Sequence, residues 1–104
     1  MTTFDERENI FEAKYANDAA LQFKVEARAN KLLGLWAAKL LGKEGDAANA
    51  FAMEVVKSDF EEAGKEDVYR KVSTSLGYLA DEATIRAQMA ASLKAAKEQV
   101  MHEH

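Results

Sequence analysis

The stretch Asn30-Lys31-Leu32-Leu33-Gly34-Leu35-Trp36-Ala37-Ala38-Lys39-Leu40-Leu41-Gly42 decides the fold of this chain. It holds the only tryptophan, and Gly34 interrupts a strongly apolar helical run. A glycine in the middle of a helix costs about 1 kcal/mol relative to alanine, so the sequence predicts that another backbone or a large ring packs against Gly34. Leaving Trp36 exposed would be unfavourable, because an aromatic side chain carries about 150–250 Å² of surface. We therefore expect Trp36 to lie in the core beside Gly34.

The composition favours helices over strands. The 104 residues include no proline, five glycines and no cysteine, and this length is typical of one domain. The sequence lacks the alternating β-branched and aromatic runs that are typical of strands. We predict an all-α fold without disulfides, which is compatible with a reducing compartment.

Signals for export and membrane insertion are missing from the sequence. Residues 1–7 lack the basic flank and apolar core of a signal peptide, and the chain has no 18-residue apolar run. We expect a soluble, cytoplasmic protein.

Apolar residues recur at helical spacing over about residues 21–41, 47–62, 66–79 and 82–100, which predicts four amphipathic helices. Short turns join them, as in an antiparallel four-helix bundle, and we assign the bundle to residues 20–104. The predicted core residues lie on the inward faces of these helices: Gly34, Trp36, Phe51, Phe60, Val68, Val72, Leu76, Ile85, Met89 and Leu93.

The turns and helix ends allow finer predictions. Gly42 and Gly45 can adopt positive φ between the first two helices, and Asp46 and Asp81 are predicted N-caps. Gly64 is predicted to close the second helix, and Leu79 to extend the apolar stripe of the third. The second helix is expected to bury Ala47, Ala50, Phe51, Val55 and Phe60.

Residues 1–19 form a distinct N-terminal arm in this interpretation. Phe4, Phe11 and Tyr15 follow one another at intervals of seven and four, but Asp18 and Gln22 stop the stripe. Isolated helices of this length are marginal in water, so we expect a mobile, partly disordered arm that becomes helical in a groove. Exposed Phe4 and Phe11 would then anchor a partner. The alternative is an extension of the first helix that packs on its own bundle.

Charge divides the chain into three parts. Residues 1–19 carry −3, residues 20–45 carry +3 and residues 46–104 carry −4. The net charge of −4 argues against general nucleic-acid binding. Lys24, Arg28, Lys31 and Lys39 form a basic strip, which we interpret as a solvated face in preference to a site for an anion or acidic partner.

The sequence shows no convincing catalytic set. Both histidines, His102 and His104, lie at the C-terminus, and neither common phosphate-binding glycine motif occurs. Inward-facing Glu-x-x-His pairs, which hold di-metal centres in bundles, are also missing. The acidic pairs Glu61-Glu62 and Glu66-Asp67 are more typical of helix ends than of catalysis, and Ser58 is interpreted as a surface or capping residue. We predict a protein that is not an enzyme and binds no metal.

Several segments together resemble one known family. They are Met1-Thr2-Thr3-Phe4-Asp5-Glu6-Arg7-Glu8, Phe11-Glu12-Ala13-Lys14-Tyr15-Ala16, Asn30 to Ala38, Glu54-Val55-Val56, Asp59 to Gly64 and Glu66-Asp67-Val68. In this order and spacing, the chain is similar nearly end to end to the zeta subunit, the ATPase inhibitor of alphaproteobacterial F-type ATP synthases.

The resemblance implies an inhibitor that is a four-helix bundle with a mobile arm. The arm would insert as a helix at a catalytic α/β subunit interface near the rotor and block ATP hydrolysis, with the α, β and γ subunits as partners. The protein would then be peripheral to the inner membrane through the ATP synthase. The residues implied as partner contacts are Thr2, Thr3, Phe4, Asp5, Arg7, Glu8, Phe11, Glu12, Lys14 and Tyr15.

The resemblance requires no cofactor, but it implies weak binding of ATP or ADP by the bundle at residues that the sequence does not identify. The rival hypothesis is a helical adaptor or adenine-nucleotide-sensing module without inhibitory activity, with the arm packed on its own bundle.

Overall fold

Five α-helices and one 3₁₀ turn build the part of the chain that the computed structural model describes, namely residues 3–61 and 65–103, with the side chains of 6–59 and 66–103. The elements are α1 (Thr3–Asn17), α2 (Ala19–Leu40), α3 (Gly45–Glu61), α4 (Lys65–Leu76), the 3₁₀ turn Gly77–Leu79 and α5 (Glu82–Glu103). Within these residues there is no strand, which confirms the all-α prediction. We call α2 to α5 the body. The finer prediction of a four-helix bundle with a mobile arm stays a prediction.

Helix α2 is the central element, since it contacts each of the other four helices and packs most extensively on α3 and α5. Gly34 lies where α2 meets α3. A Cβ atom at Gly34 would lie 2.6 Å from the Cα atom and 3.1 Å from the Cβ atom of Ala52. The predicted close approach of another backbone is confirmed, and Ala52, which the sequence did not single out, is the residue that makes it.

The main core cluster lies between α2, α3, α4 and α5. Its buried members are Leu33, Ala37, Ala38, Phe51, Val55, Val68, Val72, Leu76 and Ile85. Of the predicted core residues, Gly34, Phe51, Val68, Val72, Leu76 and Ile85 are thus confirmed as buried. The side chain of Phe60 lies outside the described residues.

Three predicted core residues lie at the edge of the core instead. Trp36 and Met89 are half-buried against the main cluster, and Leu93 is half-buried against a second cluster described below. The expectation that Trp36 sits in the interior beside Gly34 is wrong. Two residues correspond to about 200° around a helix, so Trp36 points away from the face on which Gly34 meets α3.

The inward face of α3 is shifted relative to the prediction. Ala47 and Ala50 are exposed, which contradicts the prediction, and Ala52, which was not predicted, is fully buried. The predicted burial of Val55 is confirmed. Ser58 is also buried, and its hydroxyl donates a hydrogen bond to the Val55 carbonyl at 2.6 Å. It is therefore not a surface residue. The close approach at Gly34 turns Ala52 towards α2 and leaves Ala47 and Ala50 outside.

The helix ends follow the turn residues with one difference. Gly42 and Gly45 have positive φ, and the Asp81 carboxylate accepts a hydrogen bond from the Thr84 amide at 2.8 Å, which confirms that cap. Helix α3 begins at Gly45, so Asp46 lies in its first turn instead of at the cap. Residues 62–64, including the predicted helix end at Gly64, lie outside the described residues.

The stripe of the third predicted helix ends earlier than expected. Helix α4 stops at Leu76, because Gly77 adopts a φ of 58°. Leu79 therefore falls in the 3₁₀ turn and is 47% exposed. Leu79 is not part of the core.

Candidate functional site

Helix α1 joins the body through one non-helical residue, Asp18. The backbone of Asp18 is extended, and its carboxylate caps α2 by accepting a hydrogen bond from the Leu21 amide at 3.2 Å. The Gln22 side-chain amide donates to the Tyr15 carbonyl at 2.7 Å, which satisfies an acceptor at the C-terminal end of α1. Asp18 and Gln22 interrupt the apolar stripe of the sequence because they form the joint between two helices.

Phe11 is buried in a groove between α2 and α5, with only 5% of its surface exposed. The small side chains of Ala29 and Ala96 in this cluster leave room for the ring. The sequence-based expectation that Phe11 is exposed on the arm is therefore wrong in this structure. The buried members of this second cluster are Phe11, Leu21, Val25, Ala29, Ala96, Val100 and Met101.

Tyr15 and Glu12 extend the contact between α1 and α5. The rings of Phe11 and Tyr15 stack with their centroids 6.4 Å apart. The Lys97 ammonium lies 4.5 Å from the centroid of the Tyr15 ring and 3.8 Å from the Glu12 carboxylate. Burial raises the pKa of Tyr15 above 10.0, and the carboxylates of Glu26 and Glu12 add to this effect.

The other arm residues that were singled out face solvent or fall outside the described side chains. Arg7, Glu8 and Lys14 are exposed. Ile10, which the sequence reasoning missed, is 59% exposed. Its spacing of three from Arg7 and four from Lys14 was the available signal, since such residues share a helix face. Thr2 lies outside the described residues, as do the side chains of Thr3, Phe4 and Asp5.

A cluster of ion pairs ties α2 to α5 beside the groove that holds α1. The Arg28 guanidinium donates to both oxygens of Glu103 at 2.6 and 3.0 Å, and Lys24 lies 3.5 Å from the same carboxylate. The hydrogen bond from Arg28 lowers the pKa of Glu103 and raises that of Arg28. The basic strip of the sequence is thus partly paired, whereas Lys31 and Lys39 are exposed.

A second polar region lies between α3 and α4, where a cavity of about 560 Å³ opens to solvent. Arg70 donates to one oxygen of Asp67 at 2.9 Å, and Lys71 donates to Glu54 at 3.1 Å. The other oxygen of Asp67 is buried without a hydrogen-bond partner. The lining is mixed in charge, with three cations and two carboxylates: Glu54, Lys57, Ser58, Asp67, Arg70, Lys71 and Thr74.

The acidic pair at the start of α4 is engaged in ion pairs. Arg86 donates to both oxygens of Glu66 at 3.1 and 3.2 Å and to Glu82 at 2.8 Å, which lowers the pKa of Glu66. Its guanidinium also lies 4.1 Å from the centroid of the Tyr69 ring. These contacts give Glu66 a structural role. The side chains of Glu61 and Glu62 lie outside the described residues.

The described part of the chain has neither a metal-binding cluster nor a membrane-spanning helix. Within residues 3–61 and 65–103, no group of three or more His, Cys, Asp or Glu side chains is placed to hold a metal ion. In the same residues, no helix combines the length and apolar character needed to cross a membrane.

Comparison with known proteins identifies relatives that match most of the chain. The family model described as ATPase inhibitor subunit zeta matches residues 1–99. A structure determined by solution NMR is 57% identical in sequence, with a TM-score of 0.75, and the alignment covers 81% of this chain and 99% of that one. No curated protein matches the chain. The family match includes all of α1 and nearly all of the body.

Proposed function

Since the chain belongs to the ATPase inhibitor subunit zeta family, we propose that it inhibits ATP hydrolysis by an F-type ATP synthase and that α1 carries the inhibition. The observation that carries this proposal is the family match across residues 1–99, which includes α1. The partners are the α, β and γ subunits of the ATPase head. The protein acts by binding and catalyses no reaction of its own. It acts at the cytoplasmic face of the inner membrane.

The proposed mechanism is insertion of α1 at a catalytic α/β subunit interface that must open and close during hydrolysis. The 15 residues of α1 are helical in this structure. Ordering a flexible segment costs about 1–2 kcal/mol per residue for the backbone alone. A helix that is already formed avoids most of this cost when it enters the interface.

Insertion through Phe11 and Tyr15 requires α1 to leave the groove between α2 and α5. Burial of Phe11 stabilises the docked helix by about 2–3 kcal/mol, and the partly exposed contacts of Lys97 with Glu12 and Tyr15 add about 1 kcal/mol. The single extended residue Asp18 is the pivot for this release. With about 3–4 kcal/mol to overcome, docking would weaken the apparent affinity for the ATPase about 100- to 1,000-fold.

The test is the rate of ATP hydrolysis by the cognate ATPase with increasing amounts of the protein. A variant that lacks residues 1–16 keeps the Asp18 cap of α2, so the body should retain its helical circular dichroism. We expect the intact chain to inhibit and this truncated chain to lose inhibition. Inhibition that survives the truncation would exclude α1 as the inhibitory segment, and an inactive intact chain would refute the proposed function itself.

Two single substitutions distinguish between two modes of action of α1. In one mode α1 leaves the groove, and in the other it acts while it is docked on the body. If Phe11 anchors the released helix in the ATPase, Phe11→Ala abolishes inhibition and Ile10→Ala has a smaller effect. If α1 acts on the surface of the body, the exposed side of α1 makes the contact. Ile10→Ala would then cause the larger loss, and the release step would be wrong.

A second candidate function is adenine-nucleotide sensing, which the cavity between α3 and α4 favours. Lys57, Arg70 and Lys71 could bind phosphate groups there, and the hydroxyl of Thr74 could donate to them. Calorimetric titration with ATP and ADP tests this function. We expect Lys57→Gln to weaken binding and the control Lys94→Gln, on the exposed side of α5, to leave it unchanged. Equal binding by both variants would contradict a nucleotide site in this cavity.

A further inference from the structure

An open groove of about 340 Å³ between α2 and α3 combines exposed apolar side chains with a basic rim. Phe23 is 55% exposed and Met53 is 47% exposed, although both belong to regular helices. We call this surface the α2/α3 patch. Its lining residues come from both helices: Phe23, Lys24, Ala27, Arg28, Lys31, Met53 and Val56.

The exposure of Phe23 follows from its angular position around α2. Leu21 and Val25 are buried in the cluster that holds α1. Phe23 lies about 200° around the helix from either of them, so it cannot reach the same cluster. Large apolar side chains grouped at a surface mark interaction sites, and aromatic residues and methionine are enriched in interfaces.

The charge around the patch favours an acidic occupant. Lys24, Arg28 and Lys31 line the groove, and no carboxylate is among its described lining residues. Glu103 pairs with Lys24 and Arg28 from outside the groove. Lys31 is exposed and forms no ion pair within the described residues. Complementary electrostatic potentials on two surfaces steer and orient their association. Carboxylates on a partner would therefore complement the basic side chains of this groove.

One end of the patch, at Phe23, lies close to the joint between α1 and the body. Phe23 follows Asp18 by five residues, which corresponds to about 8 Å along α2. A partner that receives α1 therefore meets this end of α2 as well. Two contacts on one partner strengthen each other, because the first raises the effective concentration of the second.

We propose that the α2/α3 patch is a second docking surface, which binds an acidic amphipathic helix on the ATPase head while α1 enters the catalytic interface. Met53 and Phe23 pack on the apolar stripe of that helix, and Lys31 pairs with its carboxylates. This inference rests on the proposed function, but it assigns a separate surface and a separate set of residues.

The experiment measures binding of full-length variants to the immobilised cognate ATPase head, together with inhibition of hydrolysis. Met53→Ser is matched by Leu79→Ser, because both side chains are 47% exposed and Leu79 lies in the 3₁₀ turn. Lys31→Glu is matched by Lys39→Glu, since both lysines are exposed on α2. Thermal unfolding of each variant checks that the body is intact.

We expect Met53→Ser and Lys31→Glu each to weaken binding about tenfold, with both controls unchanged and full inhibition restored at saturating protein. Equal affinity of test and control variants would overturn the patch and leave the inhibitory function standing. Binding that depends on Met53 and Lys31 without any inhibition would support the patch and overturn the inhibitory function. An intact chain that does not bind the head at all would overturn both.

Two other occupants are tested with the same variants. Sedimentation equilibrium of the protein alone would detect a dimer that Met53→Ser dissociates, which would assign the patch to a second copy. Flotation with phosphatidylglycerol vesicles would detect lipid binding that Lys31→Glu abolishes. Either result would overturn the proposal of an acidic helix on the ATPase head.

Discussion

The contact of α2 with α3 and the contact of α1 with the body use opposite means of packing. At the first, Gly34 allows the two backbones to approach so closely that a Cβ atom would meet the Ala52 Cα atom at 2.6 Å. At the second, Phe11 fills a groove, and the exposed Glu12 and the half-buried Lys97 assist it. The first contact tolerates little change in distance. The second relies mainly on one buried ring, so we expect α1 to detach from the body as a unit.

Gly34→Ala should have the largest effect on the stability of the body, because the added methyl group meets backbone and not a flexible side chain. We expect a loss of about 1–3 kcal/mol in the free energy of unfolding from overpacking, measured by urea denaturation. The control Ala50→Gly, at an exposed position of α3, gives the intrinsic difference between the two residues, about 1 kcal/mol in favour of alanine. A Gly34→Ala variant stabilised by that amount would show that the α2–α3 contact can adjust.

Phe11→Ala should detach α1 and leave the body folded. Removing the ring forfeits about 2–3 kcal/mol of burial, so we expect hydrogen exchange to accelerate at the amides of α1 and change little in α3 and α4. Ile10→Ala is the control, since Ile10 is 59% exposed. Faster exchange throughout the chain would show that α1 is an integral part of the core, and the comparison above would fail.

Lys97→Gln should loosen α1 by a smaller amount. It removes both the ion pair with Glu12 and the contact with the Tyr15 ring, worth about 1 kcal/mol together. We expect hydrogen exchange at the α1 amides to accelerate about fivefold, and less so at high salt because the ion pair is partly exposed. Lys94→Gln on the exposed side of α5 is the control. An unchanged rate would leave Phe11 as the sole determinant of docking.

Acidification should weaken the α2–α5 contact beside the groove that holds α1. We expect this effect to be the smallest of the four predicted here. The pKa of Glu103 is lowered in the folded protein from 4.5 by the hydrogen bond from Arg28. Its stabilising contribution is therefore complete above pH 4.5 and declines as the pH falls through the lowered pKa. Thermal unfolding between pH 3 and 7 should show a shallower acid decline for Glu103→Gln. The same slope in both proteins would contradict a role for this ion pair.

Most of the helices could be predicted from the sequence, because their signals are local. Apolar spacing placed four helical segments, and Asp81 was identified as a cap from its residue type alone. The wrong predictions concern the angle at which a side chain lies around its helix and the residue at which a helix begins or ends. Trp36 was placed by its size, although its angle around α2 relative to Gly34 excludes it from that face.

The candidate site was less predictable, since its residues depend on distant partners. The spacing of Phe11 and Tyr15 predicted a shared helix face, and the two rings do stack. Whether that face would be exposed could not be read from the arm, because the groove is formed by α2 and α5. Lys97, which contacts both Glu12 and Tyr15, lies far along the chain and carried no local signal.

The sequence by itself determined the all-α class, the family and the need for a close backbone neighbour at Gly34, because composition, residue order and the cost of a mid-helix glycine are properties of the chain alone. Only the tertiary structure decided that Ala52 is that neighbour, that Phe11 is covered by its own body and that Phe23 and Met53 share a basic surface. Each of these depends on which side chains from distant segments meet, and the geometry of packed helices fixes that choice.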